Sequence, residues 1–125
     1  MTPEPREIIG AMYPAPNVPE VPADQVPADA LLVDVREDDE WAAGHAEGAV
    51  HIPLGEVPVR LDELGDPSPD RPVYVICRSG GRSARAVVWL AEHDVPAVNV
   101  GGGTKRWAAA GRPMVSENGG EPRVA

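Results

Sequence analysis

The sequence holds one cysteine in 125 residues, Cys77, at the head of the stretch Cys77-Arg78-Ser79-Gly80-Gly81-Arg82-Ser83. An apolar run, Val73 to Ile76, precedes it and a helical pattern follows. Strand, loop and helix start make an anion-binding layout with a nucleophile at its centre. A helix N-terminus has free amide hydrogens and the positive end of a dipole, and glycines let neighbouring loop amides turn inward. Gly80 and Gly81 open backbone angles closed to other residues. The same field favours a thiolate over a thiol, so Cys77 is expected to be ionised at neutral pH. Arg82 and Arg85 add positive charge to that first turn, where acids would instead stabilise by about 0.3–1 kcal/mol. A bound anion resolves the conflict. The competing reading is a solvated basic helix end beside a buried, inert cysteine.

Elements on either side must hold this loop. Ala30 to Val33, Val73 to Ile76 and Ala97 to Val100 are short, largely apolar and rich in β-branched residues, as strands of a sheet covered on both faces are. Val50 to Leu54 is a weaker strand candidate, and Val18 to Val21 suits an edge, where a sheet tolerates proline. Helices are expected at Asp38 to Ala43, Glu56 to Leu64, Arg82 to His93 and Thr104 to Ala110. The third is clearest, because Ala84, Val87, Val88 and Ala91 form one apolar stripe. The alternation is that of an α/β fold. Such sheets bind ligands outside the carboxyl ends of their strands. Asp34-Val35-Arg36, Cys77 and Gly101-Gly102-Gly103 should therefore share one rim.

The net charge is −9, yet Pro72 to Val115 carries six bases against two acids while Met1 to Arg71 carries sixteen acids against four bases. That is a basic site on an acidic protein, and it argues against nucleic acid or an acidic membrane as partner. One cysteine excludes an internal disulfide and a resolving thiol. With three scattered histidines it offers no metal-ligand spacing, so neither metal nor cofactor is expected. No apolar run reaches the roughly 20 residues of a membrane span, and no signal-peptide pattern opens the chain, so a cytoplasmic location is expected. Seven prolines in the first 27 residues mark 1–17 as a flexible tail. The domain is expected at 18–115, followed by a flexible polar tail at 116–125.

The chain resembles a single-domain rhodanese, a sulfurtransferase module. The resemblance spans Asp29 to Pro113 and rests on Asp34-Val35-Arg36, Glu40-Trp41, Gly44-His45, Gly48-Ala49, Ile52-Pro53, the loop from Cys77 to Ser83, and Gly102-Gly103 with Trp107 and Ala110-Gly111. It implies a rhodanese-like five-stranded, mainly parallel sheet flanked by helices on both faces. It further implies that Cys77 carries a sulfane sulfur as a persulfide. The amides from Arg78, Ser79, Gly80 and Gly81 through Ser83, with the Arg82 side chain and that of Arg78, would cradle an anionic donor such as thiosulfate. A thiol, cyanide or an acceptor protein would then take the sulfur. Trp41 stands where the family usually has Tyr or Phe, and Ala46 where Ile is common.

Two other functions compete. A cysteine phosphatase or arsenate reductase places its arginine six positions after the cysteine. Here Arg82 is five after Cys77 and Ser83 is sixth, a tighter ring that suits sulfur better than phosphate. The second rival is a persulfide relay or binding module with little turnover. Among the remaining residues, Asp34 is read as a cap for the next backbone amides, Arg36 and Glu40 as a possible pair four apart, and His45 as a helix C-cap. Trp89 and Trp107 are read as apolar fillers.

Overall fold

The computed structural model describes residues 18–125; the expected tail at 1–17 lies outside them. In chain order the elements are β1 (Glu20–Pro22), a 3₁₀ turn (Ala23–Gln25), β2 (Leu31–Asp34), α1 (Asp38–Ala43), β3 (His45–Ala46) and β4 (Val50–His51). Two 3₁₀ segments (Leu54–Val59, Leu61–Leu64) follow, then β5 (Val73–Ile76), α2 (Gly81–Glu92), β6 (Ala97–Gly101), α3 (Gly103–Ala109) and β7 (Met114–Val115). Five strands form one sheet in the order β1-β6-β5-β2-β4, every pair parallel.

Side chains alternate across a strand, so each apolar run feeds two layers. Val33, Val73 and Val75 pack with Ala86, Val87 and Leu90 of α2 on one face. Leu32, Ile76 and Val100 pack with Trp107 of α3 and Ala23 on the other. Burial on both faces is what makes these strands continuously apolar in sequence.

The order of the strands places the loop. From β2 the chain moves outward to β4 on one side, and from β5 it moves to β6 on the other. Asp34 is in register with Ile76, and Val75 with Asn99. The segments after β2, β5 and β6 therefore emerge together, at the point where the strand order reverses. That is where open parallel sheets bind ligands.

Two expectations change and one pair of strands is new. Glu56 to Leu64 is not one α-helix but two 3₁₀ segments, because Pro58 lies inside the run and has no amide to donate. The strand expected at Val50 to Leu54 keeps regular pairing only through His51. Pro53 interrupts it, although Ile52 N still donates to Asp34 O and Leu54 N to Val35 O. An antiparallel pair, β3 with β7, was not anticipated, since two residues per strand are too few to show a period. Beyond β7, residues 116–125 hold no helix or strand. Their backbone meets the end of α1, where Glu117 N donates to Ala42 O and Arg123 N to Ala43 O.

Helix α3 sits directly under the Cys77 loop. Thr104 N donates to Cys77 O at 2.8 Å and Lys105 N to Arg78 O at 3.1 Å. Gly103 makes this approach possible: its φ is +59°, and a Cβ there would collide with both carbonyls. Replacing Gly103 with Ala is expected to cost roughly 2–4 kcal/mol, combining left-handed strain with overpacking. Urea unfolding measures this against Gly55→Ala, whose added Cβ meets nothing within 4 Å. That control should change stability by no more than about 0.5 kcal/mol.

Candidate active site

Cys77 follows the last residue of β5 and is 1% exposed. Its burial fits the inert reading as well as the catalytic one; what its sulfur touches separates them. Gly80 N donates to Sγ at 3.1 Å and Ser83 N donates at 3.3 Å. Ser83 Oγ lies 3.3 Å from the same sulfur. An inert core cysteine has hydrocarbon around its sulfur, whereas here backbone hydrogens converge on it as they do on an anion.

Local backbone explains the convergence. Gly80 precedes the first residue of α2 with φ 113°, a left-handed angle that turns its amide back toward Sγ. Gly81 opens the helix, and the Ser83 amide is one of the first-turn donors with no partner in the helix. Arg78 and Ser79 are exposed at the tip, with the Arg78 carbonyl held by α3. Gly80, Ser83 and Cys77 thus meet at the sulfur. The side chains of Arg78 and Arg82 do not contact it.

Arg82 is engaged elsewhere. Its Nη1 and Nη2 donate to Glu40 Oε1 and Oε2 of α1, each at 2.8 Å, in a two-pronged pair. Arg36 is instead fully buried against Asp34: its Nε donates to Oδ1 at 3.0 Å and its Nη2 to Oδ2 at 2.8 Å. The pairing of Arg36 with Glu40 expected from their spacing is therefore corrected, because each has a better-aligned partner. Asp34 Oδ1 also accepts from Arg36 N, the local capping bond expected of it. His45 Nδ1 meets Trp41 O at 3.0 Å, as a helix C-cap should, and its ring stacks on that of Trp41.

The Arg82 guanidinium holds the Glu40 carboxyl well below the usual carboxylate range, at about 2, with the Glu37 amide assisting and partial burial opposing. A carboxylate whose folded value is depressed stabilises the fold above its unfolded value and loses that contribution as pH falls toward the folded one. Glu40→Gln is accordingly expected to cost about 1–3 kcal/mol at neutral pH. The gap from the parent should close between about pH 4.5 and 2, read from urea unfolding across that range.

Two residues of the site escaped the sequence reading. Asn99, buried in β6, lies with Oδ1 2.5 Å from Ser83 Oγ, and its Nδ2 donates to Glu20 Oε1 at 2.8 Å. The available signal was a single amide side chain inside the apolar run Ala97 to Val100. A cleft of about 520 Å³ lies away from this chemistry, at the amino ends of β2 and β5 between Leu31 and Pro72. Its Arg71 and Asp29 are exposed and 3.9 Å apart, so nothing there converges on a ligand. Among the described residues no cluster of three metal-ligating side chains occurs, and no helix is long and apolar enough to cross a membrane.

Comparison with known proteins places this geometry. The rhodanese-like domain family matches residues 20–110. A protein of Allochromatium vinosum named sulfurtransferase is 38% identical over 92 residues, 73% of this chain and 83% of the relative. The crystal structure of a rhodanese-related protein from Thermoplasma volcanium superposes with a TM-score of 0.68 at 30% identity, covering 78% of this chain and 97% of that one. Thiosulfate sulfurtransferase from Pseudomonas aeruginosa gives 0.74 at 26% identity, covering 97% of this chain but 24% of that longer one. With its parallel sheet, its loop after β5 and this extent of match, the chain belongs to the rhodanese-like family and is a rhodanese-like sulfurtransferase.

Proposed function

We propose that the protein moves a sulfane sulfur, from thiosulfate or a persulfide donor, through a Cys77 persulfide to a thiophilic acceptor: cyanide, a thiol or a protein. The observation that carries this reading is the pair of backbone amides, Gly80 and Ser83, directed at Cys77 Sγ.

The Cys77 thiolate attacks the outer sulfur of the donor. One S–S bond forms at Sγ while the donor's S–S bond breaks, and its electron pair leaves with sulfite or, from a persulfide, with a thiolate. An acceptor nucleophile then attacks the outer sulfur, and Sγ departs as thiolate. This is covalent, two-step transfer. The amides serve twice, steadying the negative charge on Sγ before attack and on the terminal sulfur afterwards, in a site where fixed dipoles act at full strength. With a single cysteine, no internal disulfide can discharge the persulfide, so the sulfur goes to an external nucleophile.

The engagement of Arg82 by Glu40 favours sulfur over phosphorus. A phosphoryl group draws on a guanidinium fork, and the Nη1–Nη2 fork of Arg82 is directed at Glu40 instead.

Incubation with thiosulfate should add one sulfur atom to the intact mass, and cyanide should strip it off. Cys77→Ser should carry none; sulfur on that variant, or phosphate released from an aryl phosphate by the parent, would refute the proposal. Arg82→Ala leaves the Glu40 carboxylate unpaired at the rim, where it repels an anionic donor. Loading is expected to slow about tenfold or more, with little change for a neutral alkylating agent.

A further inference from the structure

We propose that Glu20, acting through Asn99 and Ser83, is a positioning residue that sets the direction of the hydroxyl proton beside Cys77 Sγ, and so the pH range in which the thiol reacts. The inference rests on the reading of Cys77 as the nucleophile.

The argument is an accounting of donors. Asn99 Nδ2 donates to two acceptors, Glu20 Oε1 at 2.8 Å and Gly80 O at 3.3 Å. Both are oxygens without a proton, so the amide cannot be turned the other way round. Its Oδ1 must then face Ser83, whose Oγ lies 2.5 Å away. An oxygen that close to an amide oxygen is its donor. The serine has only one proton, and Cys77 Sγ and Gly80 O, both at 3.3 Å, lose the competition for it. A lone pair of Ser83 Oγ therefore faces the sulfur. That arrangement accepts a proton from a thiol and repels a thiolate.

The side-chain chain thus opposes the backbone. The amides of Gly80 and Ser83 favour negative charge on Sγ; the Glu20-Asn99-Ser83 chain favours the protonated sulfur. When the thiol proton leaves to water, the Ser83 O–H must swing from Asn99 Oδ1 to Sγ and break the shortest bond of the chain. Glu20 is the exposed outer end and Ser83 the buried inner one. Gly101 keeps the path open, since a Cβ there would press on the Glu20 carboxylate. The charged groups of the surrounding elements include Arg82 of α2 with Glu40 of α1, Arg85 of α2, the Asp34–Arg36 pair at the end of β2, Arg78 in the loop, and Lys105 and Arg106 of α3, the last paired with Asp24. Among the described residues none of them hydrogen-bonds the Ser83 or Asn99 side chain.

Glu20→Gln tests this without touching the buried residues. A glutamine can donate, which leaves only the longer contact to Gly80 O, an oxygen already bonded by Ala84 N, to hold the Asn99 amide; the amide can then turn over, present Nδ2 to Ser83 Oγ and release the serine proton to Sγ. Iodoacetamide alkylation of Cys77, followed across pH, should show its rise at lower pH, with rates below neutral pH about three- to tenfold above the parent's. In a Ser83→Ala background Glu20→Gln should change nothing. At high salt the gain in the Ser83-containing protein should persist, because a proton direction is not screened as a distant charge is. Superimposable profiles for parent and Glu20→Gln would overturn the proposal. So would a gain that survives Ser83→Ala or vanishes in salt, either of which would reduce Glu20 to a through-space charge. Alkylation needs no turnover, so failure here stays distinct from failure of sulfur loading.

Discussion

Everything at the site depends on two carbonyls being held from below. The oxygens of Cys77 and Arg78 are taken by the first amides of α3, and Gly103 lets the two segments come that close. A trans peptide places its N–H opposite its C=O, so fixing these oxygens toward α3 leaves the Arg78 and Ser79 amides on the other side of the loop. The left-handed Gly80 then brings the chain round into α2. The result is a loop whose carbonyls are satisfied by α3 on one side while the Gly80 and Ser83 amides are directed at Cys77 Sγ. Free loop carbonyls near a sulfur anion would cancel that benefit, which is why the contact with α3 matters beyond packing.

Two closed ion pairs flank the site. Asp34 and Arg36 neutralise each other in the core; Glu40 and Arg82 do the same at the rim. Removing one partner of a buried pair leaves an uncompensated charge and is far more damaging than the pair is stabilising. Among the described residues, Arg36 Nη1 is the one buried side-chain polar atom without a partner, so even this pair is not fully satisfied. The N–H groups that reach Sγ belong to the backbone, so the contact attraction there comes from backbone dipoles. Those do not titrate, so their pull on Sγ is the same at any pH.

Much of this was legible beforehand. The three central strands are continuously apolar because both of their faces are covered, and the alternation of strand and helix gives away the parallel sheet. The place of Cys77 between a strand end and a helix start was also legible, since two glycines follow an apolar run there. The segment from Glu56 was misread because its apolar spacing outweighed Pro58. Arg36 and Glu40 were misread because spacing along a chain does not reveal a better partner elsewhere.

What the sequence by itself determined is therefore local: which runs are strands, where the helices start, and which loop carries the lone cysteine. These follow from bonding and burial within a few residues. What tertiary structure decided is who meets whom at that loop. Arg82 finds Glu40 across 42 positions, Ser83 finds Asn99 across 16, and Asn99 finds Glu20 across 79. Such meetings depend on the order of strands in the sheet, on β1 pairing with β6 and β5 lying between β6 and β2. No period or spacing along the chain encodes that order, because it is settled by the simultaneous burial of both faces of the sheet.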